Sequence, residues 1–127
     1  MCIRVDANGC GNSKGTHISV FTYLMRGEND DNLSWPYTGT VTVEVLNQLG
    51  NRNHYPLHTN FASDYGQRVL KHNRAPAGHG YGHRKYISHS LLDYDLTKYC
   101  QYLKDDCLYF RLRATNSKQW LVTTGNF

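Results

Sequence analysis

Short alternating segments, frequent Gly, Asn and Pro breaks, and only one stretch with a helical repeat predict an all-β antiparallel sandwich for this 127-residue chain. Period-two alternation places every second side chain on one face of a strand, so one face can be buried while the other stays wet. No internal repeat or low-complexity tract interrupts the pattern.

The elements follow in order. "CIRVDA" (2–7) is the first strand candidate, and the Gly/Asn-rich "NGCGNSKG" (8–15) turns it into the next. "THISVFTYLM" (16–25) is β-branched and aromatic and mixed on both faces, as in a more buried strand. "TVTVEVL" (40–46) directs Val41, Val43 and Val45 inward and Thr40, Thr42 and Glu44 outward. "NHYPLH" (53–58) and "QRVL" (67–70) are weaker candidates, and "YGHRKYISH" (81–89) is a clearer one. In "SLLDYDLTKYCQYLKDD" (90–106), Ser90 can cap, and Leu91, Leu92, Leu96, Tyr99 and Leu103 recur at roughly helical spacing, so a short helix is expected near 91–98. "CLYFRLRA" (107–114) closes the series, with Leu108, Phe110 and Leu112 inward and Tyr109, Arg111 and Arg113 outward.

Between two of these strands lies "LMRGENDDNLSWPY" (24–37), where Asn29, Asp30, Asp31 and Asn32 precede a Trp-Pro-aromatic step. The acids and amides lack EF-hand spacing, and no Gly-then-Glu completes such a loop. They read instead as turn formers, with Pro36 stiffening the return and Trp35 and Tyr37 anchoring the loop on the sandwich.

The length fits one domain. Mean hydropathy of −0.63 marks a soluble, polar surface, and no apolar run approaches the ~18 residues of a membrane span. The residues after Met1 lack the basic start and apolar centre of a signal peptide, so export is not expected. Cys2, Cys10, Cys100 and Cys107 are then read as free thiols of a reducing compartment, and without a CxxC pair zinc is not expected. The formal charge is only +4, but residues 66–90 hold Arg68, Lys71, Arg74, Arg84 and Lys85 and no acid, with His72, His79, His83 and His89.

No catalytic residue, cofactor or metal site emerges. His72, His79 and His83 lack Cys or Glu partners and read as surface histidines. Asp105 and Asp106 read as structural, opening the last strand. No GxSxG-type elbow organises the serines, histidines and aspartates.

Longer motifs carry a resemblance. Ile3–Arg4, "GTHIS" at Gly15–Ser19 and "MRGENDDNLSWPY" at Met25–Tyr37, with "YLKDDCLYFRLRA" (102–114), resemble the C-terminal domain of the TRAF adaptors (tumour-necrosis-factor-receptor-associated factors), also called the MATH domain. "GYGHRKYISH" (80–89) is similar to a strand of the fourth and sixth numbered paralogues, the fourth more than the sixth. The resemblance implies an eight-stranded antiparallel sandwich that binds extended receptor-tail peptides and trimerises beneath a coiled coil. It implies a partial domain over 1–114 that starts at the third strand, lacking the first two, and a C-terminal extension over 115–127.

It also implies a peptide site. Arg4 matches a groove arginine able to hold an acidic or aromatic side chain. Asp6 replaces a Tyr or His of the relatives, Cys10 replaces an Asp of some, and Phe61 matches a groove phenylalanine. Gly80, Tyr81, Gly82 and His83 match the strand with which peptides pair, the glycines permitting close backbone approach and Tyr81 walling an apolar pocket. Gln67, Arg68 and Val69 fall where some paralogues carry three serines that grip a peptide glutamine, so that grip is missing here.

The expected function is a non-enzymatic, cytoplasmic adaptor module, membrane-associated through receptors, that binds peptides of receptor tails or signalling proteins and forms a homotrimer in the full-length protein. Nucleic acid is not an expected partner. Two alternatives stand: anionic lipid headgroups bound by Arg68, Lys71, Arg74, Arg84 and Lys85, or an inactive domain fragment.

Overall fold

In the computed structural model, residues 1–24, 28, 32, 37–64, 67, 80–116 and 119–126 are described. Among them are seven strands: β1 (Cys2–Asp6), β2 (His17–Tyr23), β3 (Thr40–Val45), β4 (Tyr55–Asn60), β5 (Tyr81–Ser88), β6 (Phe110–Asn116) and β7 (Gln119–Asn126). They form two antiparallel sheets, one ordered β1-β2-β5 and the other β4-β3-β6-β7. The chain is therefore an all-β antiparallel sandwich.

The alternation works as physics requires. Val41, Val43 and Val45 of β3 are fully buried, together with Ile18 and Val20 of β2, Ile87 of β5, and Phe61. Ile3, Val5, Phe110, Leu112 and Ala114 pack against that core from β1 and β6. Burial of each such valine or isoleucine contributes about 1.5–3 kcal/mol relative to exposure. On the opposite face of β3, Glu44 sits 2.8 Å from Arg111 and 3.2 Å from Arg113, both on the neighbouring β6. An acid with only 6% of its surface exposed is thus paired twice, the condition under which a buried charge is tolerated.

Two differences from the sequence reading have local causes. The helix expected near 91–98 is reduced to one 3-10 turn at His89–Leu91, with Ser88 accepting from the Ser90 amide. Beyond it Asp95 and Cys100 exchange backbone hydrogen bonds, and the Asp95 carboxylate accepts from the Thr97 and Lys98 amides, so the backbone takes a side-chain-stabilised turn instead. The residues expected as a C-terminal extension supply the end of β6 and the whole of β7, which ends its sheet among the described residues and pairs to β6 from Arg111↔Asn126 to Asn116↔Gln119. The weak "QRVL" strand and Trp35 lie outside the described residues, apart from Gln67. Tyr37 does anchor its loop: its hydroxyl donates to the Thr115 carbonyl at 2.7 Å, and its ring packs on Phe61.

All four cysteines are free thiols. Asp105 and Asp106 both adopt positive φ (52° and 58°) between Lys104 and Cys107, which exchange backbone hydrogen bonds. That is a two-residue turn with both central residues left-handed, the geometry whose twist suits a hairpin.

Candidate functional site

β5 ends the three-stranded sheet among the described residues, with β2 on one side. Its pairing to β2 is regular at Thr22↔Tyr81, Phe21↔Gly82 and Val20↔His83, then breaks, and resumes at Ile18↔Ile87. Arg84, Lys85 and Tyr86 thus oppose the single residue Ser19, a bulge that bends the strand. Ser19, fully buried, holds it: its hydroxyl donates to the Arg84 carbonyl at 2.6 Å and accepts from the Cys10 amide at 3.0 Å. His83, Arg84 and Lys85 are consequently exposed in succession.

The two glycines have a specific use here. A Cβ on Gly82 would stand 2.0 Å from the Val20 carbonyl oxygen, and one on Gly80 would stand 2.7 Å from both the Phe21 Cβ and the Tyr23 ring. In this structure, then, they admit the backbone of β2 and the side chains leaning from it over β5.

Arg4, Phe21 and Gly82 form one row across the sheet, since Arg4 pairs with Phe21 and Phe21 with Gly82. The Arg4 guanidinium lies 6.0 Å from the Phe21 ring centroid, at the outer limit of a cation–π contact. It is also engaged by its own strand. Arg4 Nε donates to Asp6 Oδ1 at 3.1 Å, and its Nη2 lies 2.9 Å from Asp6 Oδ2, a close ion contact outside hydrogen-bond alignment. The hydrogen bond to Asp6, and then one to Tyr23, hold the guanidinium pKa above its ordinary value.

The aromatic part of the site is built separately. Phe61 is fully buried, 5.2 Å from the Tyr81 ring and 5.5 Å from the Tyr37 ring. Ser63 Oγ stands 3.2 Å from the Tyr81 hydroxyl. The Gln67 amide donates to the carbonyls of Phe61 at 2.7 Å and Tyr37 at 3.1 Å, so this position, matched above to the serine grip, ties two loops together. Burial raises the Tyr37 hydroxyl pKa.

The sequence-derived residues thus fall into two groups joined by β5. Phe61 and Tyr81 pack toward the core. Arg4 stands in the row that runs through Phe21 to Gly82, with Asp6 two residues along β1 beside it, while His83 is exposed on β5 just before the bulge. Of the basic residues, Arg84 and Lys85 are exposed on β5, whereas Arg68, Lys71 and Arg74 lie outside the described residues, as do His72 and His79. No group of three or more His, Cys, Asp or Glu gathers among the described residues.

Phe21, Tyr23 and Ser19 were missed by sequence reasoning. The signal was present: they occupy the strand parity opposite to buried Ile18, Val20 and Thr22.

Comparisons with known proteins agree with this architecture. Residues 1–111 match the family model described as TRAF/meprin, MATH domain. TNF receptor-associated factor 5 of Mus musculus is 34% identical over 112 residues, 88% of this chain and 19% of that protein. TNF receptor-associated factor 2 of Homo sapiens is 46% identical over 54 residues, 42% of this chain and 11% of that protein. Among solved structures, TRAF5 of Notothenia coriiceps superposes with a TM-score of 0.69 at 30% identity, covering 89% of this chain and 54% of that one. These broad similarities are to the fifth factor, where the motif at 80–89 resembled the fourth and sixth. The chain spans about a fifth of the length of the factor 5 relative. With the family model covering most of its residues and the sandwich superposing on a solved member, this chain belongs to the TRAF/MATH domain family.

Proposed function

We propose that this domain is a non-enzymatic adaptor module of receptor signalling that takes a short extended peptide as an added strand beside Gly80–His83. The observation that carries the reading is the place of β5 at the end of its sheet among the described residues. An end strand offers main-chain donors and acceptors to an incoming strand, and alternate side chains of that strand then select its sequence. Here they would meet the Phe61–Tyr81 pair on one side and the Arg4–Phe21 row on the other. The similar proteins are named as receptor-associated factors, which supports receptor tails and their signalling partners as the source of such peptides. Cytoplasmic location and trimeric assembly in a longer protein belong to the same reading.

The test is amide hydrogen exchange with a library of extended nonapeptides. Binding should slow exchange at Gly80–Arg84 selectively. A bound peptide that leaves those amides unchanged would place the site elsewhere.

A second reading rests on the succession of exposed His83, Arg84 and Lys85. They can attract anionic headgroups, in which case association with phosphatidylserine vesicles should collapse as salt rises past the screening range. Peptide pairing through the backbone should fall much less.

A further inference from the structure

Arg4 is the one strong cation in the row that leads from Gly82 through Phe21, and its donors are already directed at a carboxylate of the same strand. Asp6 stands two residues along β1, on the same face. It accepts from Arg4 Nε at 3.1 Å and brings its second oxygen to 2.9 Å from Nη2. That second oxygen is shielded from solvent. Arginine's planar fork pairs best with a carboxylate through two parallel hydrogen bonds, and with Nε committed to one Asp6 oxygen and Nη2 beside the other it offers a second acid a poorer geometry. Because the Asp6 charge sits beside the guanidinium, a second carboxylate brought to Arg4 would meet like-charge repulsion. What remains open in the row is the Phe21 ring, with no side chain on β5 beside it because Gly82 supplies none.

We propose that Asp6 is a built-in occupant of the Arg4 fork, and that it sets the ligand class of this edge: extended peptides bearing an apolar or aromatic residue, and no acid, opposite the Arg4–Phe21 row. The inference rests on the reading of β5 as the peptide-accepting edge. Free of a ligand, the pair leaves Arg4 half covered, with 55% of its side chain exposed, so the guanidinium plane can still flank an aromatic ring. An acidic ligand would have to displace Asp6 first and leave that carboxylate without its cation. Selection at this position is then a matter of what is rejected as much as of what is held.

The experiment uses the full chain and a positional-scanning library of extended nonapeptides, each position fixed in turn as Phe, Gln, Lys or Glu. Wild type and Asp6→Asn are compared at two salt concentrations. Asparagine keeps the shape and removes the charge. Wild type is expected to bind with one position at which Phe is preferred and Glu is rejected. In Asp6→Asn the Glu peptides at that position should gain about tenfold, the scale of one freed charge-assisted contact, and the gain should shrink at high salt. Thermal melts of the two proteins confirm that both are folded. If wild type already prefers Glu there, or if Asp6→Asn shows the wild-type profile, the proposal is overturned while peptide binding stands. If neither protein binds any library member, the reading of β5 as a peptide edge falls, and this proposal with it.

Discussion

The Tyr86 hydroxyl crosses from one sheet into the backbone ladder of the other, accepting from the Val45 amide at 2.9 Å. It donates in turn to the Tyr55 carbonyl. Val45 and Tyr55 are register partners at the end of the β3–β4 ladder, so a phenol stands where a strand-to-strand hydrogen bond would be. Tyr86 is buried and its ring lies edge-on to Tyr55, at 5.5 Å between centroids. Tyr86→Phe removes the oxygen and leaves one buried donor and one acceptor unpaired. The expected cost is about 1–3 kcal/mol, read as a lower urea midpoint with an unchanged slope. An unchanged midpoint would mean that Val45 and Tyr55 close on each other.

The same phenol predicts alkaline sensitivity. Burial holds the Tyr86 pKa well above the ordinary tyrosine value. A raised folded pKa gives stability that is whole below the unfolded value of about 10 and is lost as pH climbs toward the folded one. Urea midpoints taken from pH 8.5 to 11 should fall less steeply in Tyr86→Phe than in wild type. Parallel profiles would exclude Tyr86 as the cause.

The Lys104–Cys107 hairpin carries a removable cost. Asp105 and Asp106 both hold positive φ, which Asn and Gly adopt more readily than two adjacent aspartates. Asp105→Asn with Asp106→Gly should stabilise the protein by about 1 kcal/mol or less, the left-handed penalty lifted by glycine less its greater freedom in the unfolded chain, seen as a rise in Tm. No rise would show that the two carboxylates stabilise the turn in another way.

His54 predicts acid sensitivity at the opposite end of the pH range. The Asn47 amide donates to His54 Nδ1 at 3.0 Å, so the ring accepts there and is neutral at that nitrogen. Asn47 in turn accepts from the Leu49 and Gln101 amides through its side chain, coupling two loops. Desolvation first, then the positive Arg111, lower the His54 pKa, against a smaller opposing effect of Glu44. A lowered folded pKa means that the unfolded chain takes up the proton first. Stability is whole above about pH 6.5, the unfolded value, and is lost as pH falls below it through the folded value. The denaturation midpoint should drop on acidification in wild type, and drop less in His54→Gln, which has no titrating ring. Identical slopes would assign the loss to other groups.

What the sequence disclosed depends on how cleanly alternation marked the element. Alternation alone marked Val41, Val43 and Val45 against Glu44, because a strand's two faces differ in solvent. β7 was missed although its pairing to β6 is local, starting at Asn116↔Gln119, because "QWLVTTGN" joins an apolar run to Thr and Gly without period-two alternation. The helix near 91–98 failed because apolar spacing was outvoted by Asp95, whose carboxylate offers the backbone a competing set of hydrogen bonds. For the candidate site, Arg4 and Asp6 could be named singly, but their mutual engagement needed the geometry. Phe21 was missed because "THISVFTYLM" reads as mixed on both faces, so its parity opposite Ile18 and Val20 went unused.

Gly82 offers the clearest separation of fold from function at this edge. Its missing Cβ is required by the Val20 carbonyl, since the added atom would stand at 2.0 Å. Backbone cannot swing aside as a side-chain tip can, so Gly82→Ala must spread β5 from β2. The expected cost is about 1–3 kcal/mol, the range for overpacking. Gly80→Ala meets the Tyr23 ring and the Phe21 Cβ at 2.7 Å. The ring can rotate away, so this variant should be the less damaged of the two. Peptide binding should then follow the integrity of β5, failing in Gly82→Ala together with faster exchange of the amides on β2 and β5. The measurement pairs thermal melts with hydrogen exchange across Ile18–Tyr23 and Tyr81–Ser88. A Gly82→Ala protein with the wild-type melt and wild-type protection would show that the two strands tolerate a side chain there. Loss of peptide binding in that protein would then mean that the glycine serves the ligand directly.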